Sequence, residues 1–317
     1  MTIPDSLAAG APPARLRIGT RGSPLALTQA NQVKQSLAAA LGAQAPLMEI
    51  IVIRTTGDQI QDRALGESGG KGLFTKELDS ALMHGDIDIA VHSAKDLPTY
   101  LPQGIDIAGY LPREDARDAW ISNKAKDPRA LPSGSVVGTA SLRRSAMLLR
   151  LRSDLAITLL RGNVETRLAK IERGEIDATI LALAGLKRLN LTDKATALLD
   201  THDFVPAVGQ GAIAITARSG DATVAAALKP ILDAETAVAL ACERALLQVL
   251  DGSCRTPIGG HAWLENDVLH LRAIILRPDG SQHFATQVQG SLADPQHLGE
   301  SAARELLAQA PPGFLAL

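Results

Sequence analysis

The side chains with the most chemical promise sit where short apolar runs end. Asp96 closes His92-Ser93-Ala94-Lys95-Asp96, which follows the apolar run at 87–91 and precedes Leu97-Pro98. Open α/β sheets bind ligands beyond the carboxyl ends of their strands, so an anion beside a cation there suits proton transfer or stabilisation of a developing charge. An ordinary surface ion pair accounts for the same two residues, and His92 reads equally as a satisfied structural histidine. Arginines recur in comparable places: Arg21 in Gly19-Thr20-Arg21-Gly22-Ser23-Pro24, Arg143 and Arg144 after Gly138-Thr139-Ala140-Ser141, Arg161 before Gly162-Asn163, then Arg167 and Arg188. Singly, each is a solvated charge. If the loops converge on one cleft, their guanidinium forks match carboxylates in bidentate geometry, and the ligand carries several carboxylates.

Two further segments invite chemistry. Cys254 lies in the turn-rich Asp251-Gly252-Ser253-Cys254-Arg255-Thr256-Pro257, where the neighbouring arginine favours thiolate, although a lone loop cysteine is also read as incidental. Cys242 shares an apolar stripe with Val238, Leu246 and Val249 and reads as core packing. Gly69-Gly70-Lys71-Gly72 precedes a helix expected to begin near Leu73, where backbone N–H groups and a lysine suit a carboxylate or phosphate; a flexible turn is the alternative. It is not a nucleotide P-loop, because Leu65 stands at the first glycine position and Gly72 replaces the magnesium-binding hydroxyl. A phosphotransferase therefore has little support. The seven histidines form no HxxxH or Cys/His cluster, so no metal is expected, Asp58 and Asp62 being a weak magnesium pair at most.

Positioning these groups requires strands, loops and helices in a repeated order. A strand at 16–18 enters the Gly-Thr-Arg-Gly-Ser loop and a helix at 25–41; a strand at 135–137 enters Gly138-Thr139-Ala140-Ser141 and a helix at 142–151. A helix containing Phe74, Leu78 and Leu82 leads through Gly85 into a strand reaching 91, and a helix at 164–173 leads through Gly174 into a strand reaching 180. Two α/β lobes of one plan follow, with a cleft between them. The run 207–215 reads as a strand that carries the chain back between lobes. Beyond 233 the pattern changes to a helix ending at 250, strands at 262–264, 268–276 and up to 288 joined by Asn266-Asp267 and Asp279-Gly280 turns, and a last helix over 294–307. The expected domains are a first lobe at 15–111 with 212–230, a second at 117–205, a C-terminal α+β domain at 233–317 with a three-stranded antiparallel sheet, and a loose tail at 1–14.

Composition narrows the function. A chain of 317 residues that is 46% hydrophobic can bury a large core, and 32 basic against 34 acidic residues give a formal charge of −2 with no general pull toward nucleic acid or membrane. Aromatic residues at 3% are too few for a base-stacking surface. The first 14 residues lack a signal-peptide pattern, and no apolar stretch reaches the roughly 20 residues that span a bilayer. A soluble cytoplasmic protein is expected, with neither nucleic acid nor membrane as partner.

In this order, Arg17-Ile18-Gly19-Thr20-Arg21-Gly22-Ser23-Pro24-Leu25-Ala26, Gly69-Gly70-Lys71-Gly72-Leu73-Phe74, His92-Ser93-Ala94-Lys95-Asp96, Gly138-Thr139-Ala140-Ser141-Leu142-Arg143-Arg144, Arg161-Gly162-Asn163, Pro206-Ala207-Val208-Gly209-Gln210-Gly211 and Gly252-Ser253-Cys254 resemble the porphobilinogen deaminase (hydroxymethylbilane synthase) family over nearly all the chain after residue 14. The resemblance implies two lobes like a periplasmic binding protein and a third domain. It implies a covalent dipyrromethane cofactor on Cys254 by a thioether, on which four porphobilinogen molecules are condensed before hydrolysis releases hydroxymethylbilane. It further implies that Asp96 is catalytic, steadying positive charge on pyrrole nitrogens. Lys95, Thr139, Ser141, Arg143, Arg144, Arg161, Arg167 and Arg188 are implied for the cofactor, Arg21, Ser23, Lys71 and Arg161 for the substrate. A monomer is the expected state. Glu67 and Ser253 depart from residues usual in the family, so no carboxylate contact is assigned at Glu67. Without the family marks, a noncatalytic two-lobed polycarboxylate-binding protein fits the same lobes and arginines.

Overall fold

Strand-loop-helix units build two sheets of one design. The computed structural model describes residues 13–59, 72–250 and 256–315. The chain forms β1 (Arg15–Thr20), α1 (Pro24–Leu41), β2 (Leu47–Val52), α2 (Thr56–Gln59), α3 (Lys76–His84), β3 (Ile89–Ser93) and β4 (Ile105–Tyr110) before leaving the first sheet. It then forms β5 (Asp118–Ser122), β6 (Val136–Gly138), α4 (Leu142–Leu151), β7 (Ala156–Thr158), α5 (Val164–Glu172), β8 (Ala178–Ala182), α6 (Leu183–Arg188) and β9 (Ala197–Leu198), and returns through β10 (Ile213–Arg218) and α7 (Ala222–Leu228). The strand orders are β2-β1-β3-β10-β4 and β7-β6-β8-β5-β9.

In each sheet four strands run one way and the fourth in order, β10 or β5, runs against them between two neighbours. The strand that arrives from the other lobe, β5 or β10, takes the same place in its sheet. This is the pseudo-repeat seen in the sequence. Central strands such as β3 and β5 are buried along almost their full length, which is why they read as continuous apolar runs rather than alternating ones.

Helix starts follow side-chain capping. Ser23, Ser141, Asn163 and Asp233 accept from the backbone N–H groups of Ala26, Arg144, Thr166 and Thr236 and so set where α1, α4, α5 and the next helix begin. Three local expectations shift. The helix expected near Leu73 begins at Lys76, because Gly72–Thr75 closes as a turn in which Thr75 and Lys76 N–H donate to the Gly72 carbonyl. The strand expected to end at 91 instead runs Ile89–Ser93, placing His92 and Ser93 inside the sheet. Residues 207–212 are a loop, and the strand begins at Ile213.

The C-terminal unit is α8 (Ala234–Val249), the antiparallel strands β11 (Ile258–Glu265), β12 (Val268–Leu276) and β13 (His283–Gly290), and α9 (Pro295–Gln309). Asn266 and Asp267 have φ of 51° and 59°, the backbone of a two-residue hairpin turn. The helices cover one sheet face, burying Leu246, Leu271, Ile275 and Leu306, and Ala94 and Leu97 of the first lobe join that core. From the other face Ile274 and Leu276 enter the core of the second lobe beside Phe204 and Val205. The third unit therefore docks on both lobes.

A buried ion pair pins the three together. Glu243 of α8, with 0% exposure, accepts from Arg113 Nη1 at 2.6 Å, from Gly209 N at 2.7 Å and from Ala262 N at 2.7 Å. Arg113 lies on the outgoing crossover and Gly209 on the returning one. No helix among the described residues is long and apolar enough to cross a membrane.

Candidate active site

From the first lobe, β3 delivers Lys95 and Asp96 in a single 3-10 turn, Ala94–Asp96, held because Ala94 N donates to the Ala212 carbonyl of the returning chain at 3.0 Å. Arg21, just beyond β1, reaches Asp96 with Nη1 to Oδ2 at 3.7 Å and lies with its guanidinium carbon 4.0 Å from the Phe74 ring centre. Cation and ring attract through the ring quadrupole, so the turn at 72–75 helps to aim Arg21 at Asp96. Arg21, Ser23, Gln29, Phe74, His92 and Asp96 line a cavity of about 50 Å³. Ser23 caps α1, while Gln29 and Ser93 hydrogen-bond across the cavity at 2.9 Å. His92 Nε2 lies 3.1 Å from Thr216 Oγ1. Burial, reinforced by the nearby Arg21 charge, pushes its imidazolium down to about 4, so His92 is a neutral structural group at neutral pH.

The second lobe supplies cations. Arg143 and Arg144 stand in the first turn of α4 and both turn onto Asp118 at the head of β5, with Nη2 to carboxylate distances of 2.7 Å each. Arg143 also donates to the Val205 carbonyl and Arg144 to the Ile180 carbonyl. Burial raises the Asp118 carboxyl, but Arg143 and Arg144 outweigh it and hold the group well below the usual carboxylate range. Two guanidiniums on one carboxylate leave one positive charge over, and Arg143 Nε is buried with no acceptor among the described residues. Thr139 Oγ1 accepts from Ser141 N and Ser141 Oγ from Arg144 N, so these hydroxyls hold the loop and the helix start.

Charges meet across the lobes. Arg167, in α5, donates to the Gly162 carbonyl, and burial with the charges of Arg144 and Arg161 pushes it down to about 10 while Asp96 of the other lobe opposes this. Lys95 is pushed down to about 8 by burial and then by Arg144, with Asp96, Asp118 and Arg143 also acting on it. Arg144 thus links two groups of cations, acting with Arg143 on Lys95 and with Arg161 on Arg167. Arg188 is placed apart from them: its Nη2 donates at 2.7 Å to the Gly211 carbonyl on the returning crossover, and its charged neighbour is Glu114.

Cys254, Ser253, Lys71, Glu67 and Asp62 lie outside the described residues, as does the side chain of Asp58. The first turn of α3 carries carboxylates of its own, Glu77 and Asp79, which weakens that helix end as an anion site. Among the described residues no group of three or more His, Cys, Asp or Glu could hold a metal. Cys242 is fully buried, its thiol pushed up to about 12 by burial and by Glu243, in keeping with core packing.

Sequence reasoning missed Asp118, Gln210 and Phe74. An acid at the head of the otherwise apolar Asp118-Ala119-Trp120-Ile121 was the available signal, since a buried carboxylate requires a cationic partner.

Comparison with known proteins matches residues 16–226 to the family described as porphobilinogen deaminase, dipyromethane cofactor binding domain, and residues 237–308 to porphobilinogen deaminase, C-terminal domain. Porphobilinogen deaminase of Nitrobacter hamburgensis is 56% identical over 300 residues, covering 95% of each chain, and that of Nitrobacter winogradskyi is 55% identical with the same coverage. An ABC-transporter periplasmic substrate-binding protein from Coxiella burnetii superposes with a TM-score of 0.44 at 14% identity, over 68% of this chain and 91% of that one.

Proposed function

This chain belongs to the porphobilinogen deaminase family, and we propose that the cleft joins porphobilinogen units around Asp96 while the surrounding cations grip their acidic arms. The protein is a transferase of tetrapyrrole biosynthesis that condenses four porphobilinogen molecules head to tail on a dipyrromethane primer and releases hydroxymethylbilane. A noncatalytic polycarboxylate binder is not favoured by this membership. The observation that carries the assignment of roles is Asp96: a carboxylate at a strand end, 3.7 Å from Arg21 and within electrostatic reach of Arg167 of the other lobe.

The side chains fit a dipyrromethane bearing carboxylate arms. The charge excess on Arg143 and Arg144, the Arg143 Nε that has no acceptor among the described residues, and the nearby Lys95, Arg161 and Arg167 are what such arms require. Thr139 and Ser141 shape the loop beneath. When bound, the primer would supply the free pyrrole α-carbon that the first unit joins, later units adding at the free end of the growing chain. Its anchor is Cys254, an assignment resting on Gly252-Ser253-Cys254; in support, Arg244 donates to the carbonyls of Pro98 and Thr99, docking the helix that leads into the cysteine segment against the stretch just past Asp96.

Asp96 accepts a hydrogen bond from a substrate pyrrole N–H and, as ammonia departs, stabilises the positive charge developing on that nitrogen. It must be ionised to do so. Arg21, Ser23, Lys71 and Arg161 take the incoming substrate, and Arg161 also serves the primer side. Arg188 acts from the base of the cleft, through its bond to the returning chain. The units at 15–111 with 212–230, 117–205 and 233–317 are assigned as domains and the enzyme as a cytoplasmic monomer, and its formal charge of −2 argues against a nucleic-acid partner.

Asp96→Asn tests the reading. The variant should keep the fold and the primer mass while porphobilinogen consumption falls by about 10²–10⁴-fold. Activity within a few-fold of wild type would remove Asp96 from the chemistry.

A further inference from the structure

The reaction assigns nothing to Val208-Gly209-Gln210-Gly211-Ala212, yet this loop of the returning crossover runs through the middle of the charge cluster. Gln210 has 0% exposure and both ends of its carboxamide are committed. Oε1 accepts from Lys95 Nζ of the first lobe at 3.3 Å and from Arg144 Nη2 of the second at 3.4 Å. Nε2 donates to Asp118 Oδ1 at 2.9 Å and to the Ala116 carbonyl at 2.7 Å. Its backbone carbonyl accepts from Arg113 Nε at 2.9 Å.

The partners fix the orientation of the amide. Turned over, it would set N–H donors against an ammonium and a guanidinium, and oxygen against a carboxylate and a carbonyl, spoiling all four contacts. A carboxylate at this position would oppose Asp118, and an ammonium would oppose Lys95 and Arg144. A neutral group with an acceptor end and a donor end suits the place.

The backbone is equally constrained. Gly209 and Gly211 have φ of 76° and 91°, which L side chains rarely adopt. A Cβ on Gly209 would meet the Lys95 backbone nitrogen at 2.9 Å, and one on Gly211 would strike the Glu114 carbonyl oxygen. The two glycines let the loop press against Lys95 on one side and the outgoing crossover on the other, which delivers Gln210 into the cluster.

We propose that Gln210 is a positioning residue whose carboxamide ties Lys95 of the first lobe to Arg144 of the second, setting the spacing at which carboxylate arms of adjoining pyrrole units are gripped. The inference rests on the assignment of Lys95 and Arg144 to those arms. It acts through them; Gln210 itself need not touch substrate.

The groups facing Lys95 are Arg143 and Arg144 from α4, Asp118 from β5, Asp96 from its own turn and the Gln210 oxygen. Gln210→Leu removes the acceptor and should move the alkaline limb of kcat/KM to lower pH, because the ammonium loses a partner that favours its charged form. Gln210→Glu sets a carboxylate beside the ammonium and should move the limb to higher pH, each shift being about one unit. In Gln210→Leu, KM for porphobilinogen should rise roughly tenfold or more, with kcat changing less, as expected for the loss of one charge-assisted contact of a carboxylate grip, and Gln210→Glu, whose carboxylate opposes Asp118, should raise KM by disturbing the same spacing. Primer mass and thermal midpoint are measured alongside. A purely structural residue would lower the midpoint without moving the two limbs in opposite directions. If wild type fails to consume porphobilinogen, the reading of the whole site fails. If wild type is active and the limbs and KM of both variants match it, the positioning role is overturned. Should Gln210→Leu not accumulate, Gln210→Glu alone decides: an unmoved alkaline limb rejects the proposal.

Discussion

Replacing Asp118 by asparagine removes one charge and almost no volume, and it should destabilise the enzyme more than most substitutions on its surface. The carboxylate is 0% exposed and accepts from Arg143 Nη2, from Arg144 Nη2 and Nε, and from Gln210 Nε2, at distances between 2.7 and 3.2 Å. An asparagine amide would turn its NH2 toward donors on one side. Arg143 and Arg144 are 4% and 6% exposed, so water cannot replace the lost partner. Removing one member of a buried charge pair costs about 3–5 kcal/mol, which lowers the thermal midpoint on the order of 10 °C. The pH dependence has a definite sign. The folded carboxyl is held well below its unfolded value, so its contribution is complete above pH about 4 and is lost as pH falls toward the folded value. Melting curves of wild type and Asp118→Asn should therefore stay separated by a constant gap from pH 7 to about 5 and converge at lower pH. A midpoint within 2 °C of wild type at pH 7, or a gap that widens on acidification, would refute the premise that Asp118 holds the arginine pair.

Other perturbations follow from the same contacts. Glu243→Ala strands Arg113 and the N–H groups of Gly209 and Ala262, and should cost about 3–5 kcal/mol, read as faster limited proteolysis at the crossovers. Phe74→Leu removes a cation–π contact of about 0.5–2 kcal/mol, so KM should rise about 2- to 30-fold while the thermal midpoint falls by a few degrees at most. His92 is buried neutral with its pKa lowered to about 4, so the unfolded chain binds its proton first and stability falls from pH about 6.5 down to 4; His92→Gln should flatten that decline in melts across this window.

The lobes were legible because strand-loop-helix units repeat with the same punctuation, and the sheets confirm it: β5 and β10 occupy matching places, each as the first strand after a crossing. The hairpin at Asn266-Asp267 and the start of α4 at Leu142 were readable from turn and cap chemistry, which is local. What failed was local chemistry overruled by longer contacts. The strand ending in Ser93 extends past the apolar run because Ala214 and Ile213 of the returning chain pair with His92 and Ser93, over 100 residues away in sequence. The same distance hid the use of Arg143 and Arg144, which turn inward onto Asp118 rather than standing along an open wall. Arg188 looked equivalent to the other arginines, yet it binds the Gly211 carbonyl. Gln210 carried no charge to mark it, and only the meeting of two lobes on its carboxamide gives it a role.

The central claim is that this cleft works on a primer fixed to Cys254. Intact-protein mass spectrometry of active enzyme from a porphobilinogen-producing host tests it most directly. The expected spectrum shows two pyrrole units added to wild type, the same addition on Asp96→Asn, and none on Cys254→Ser. An active wild type at its bare polypeptide mass, or a Cys254→Ser variant that still carries the two units, would contradict it.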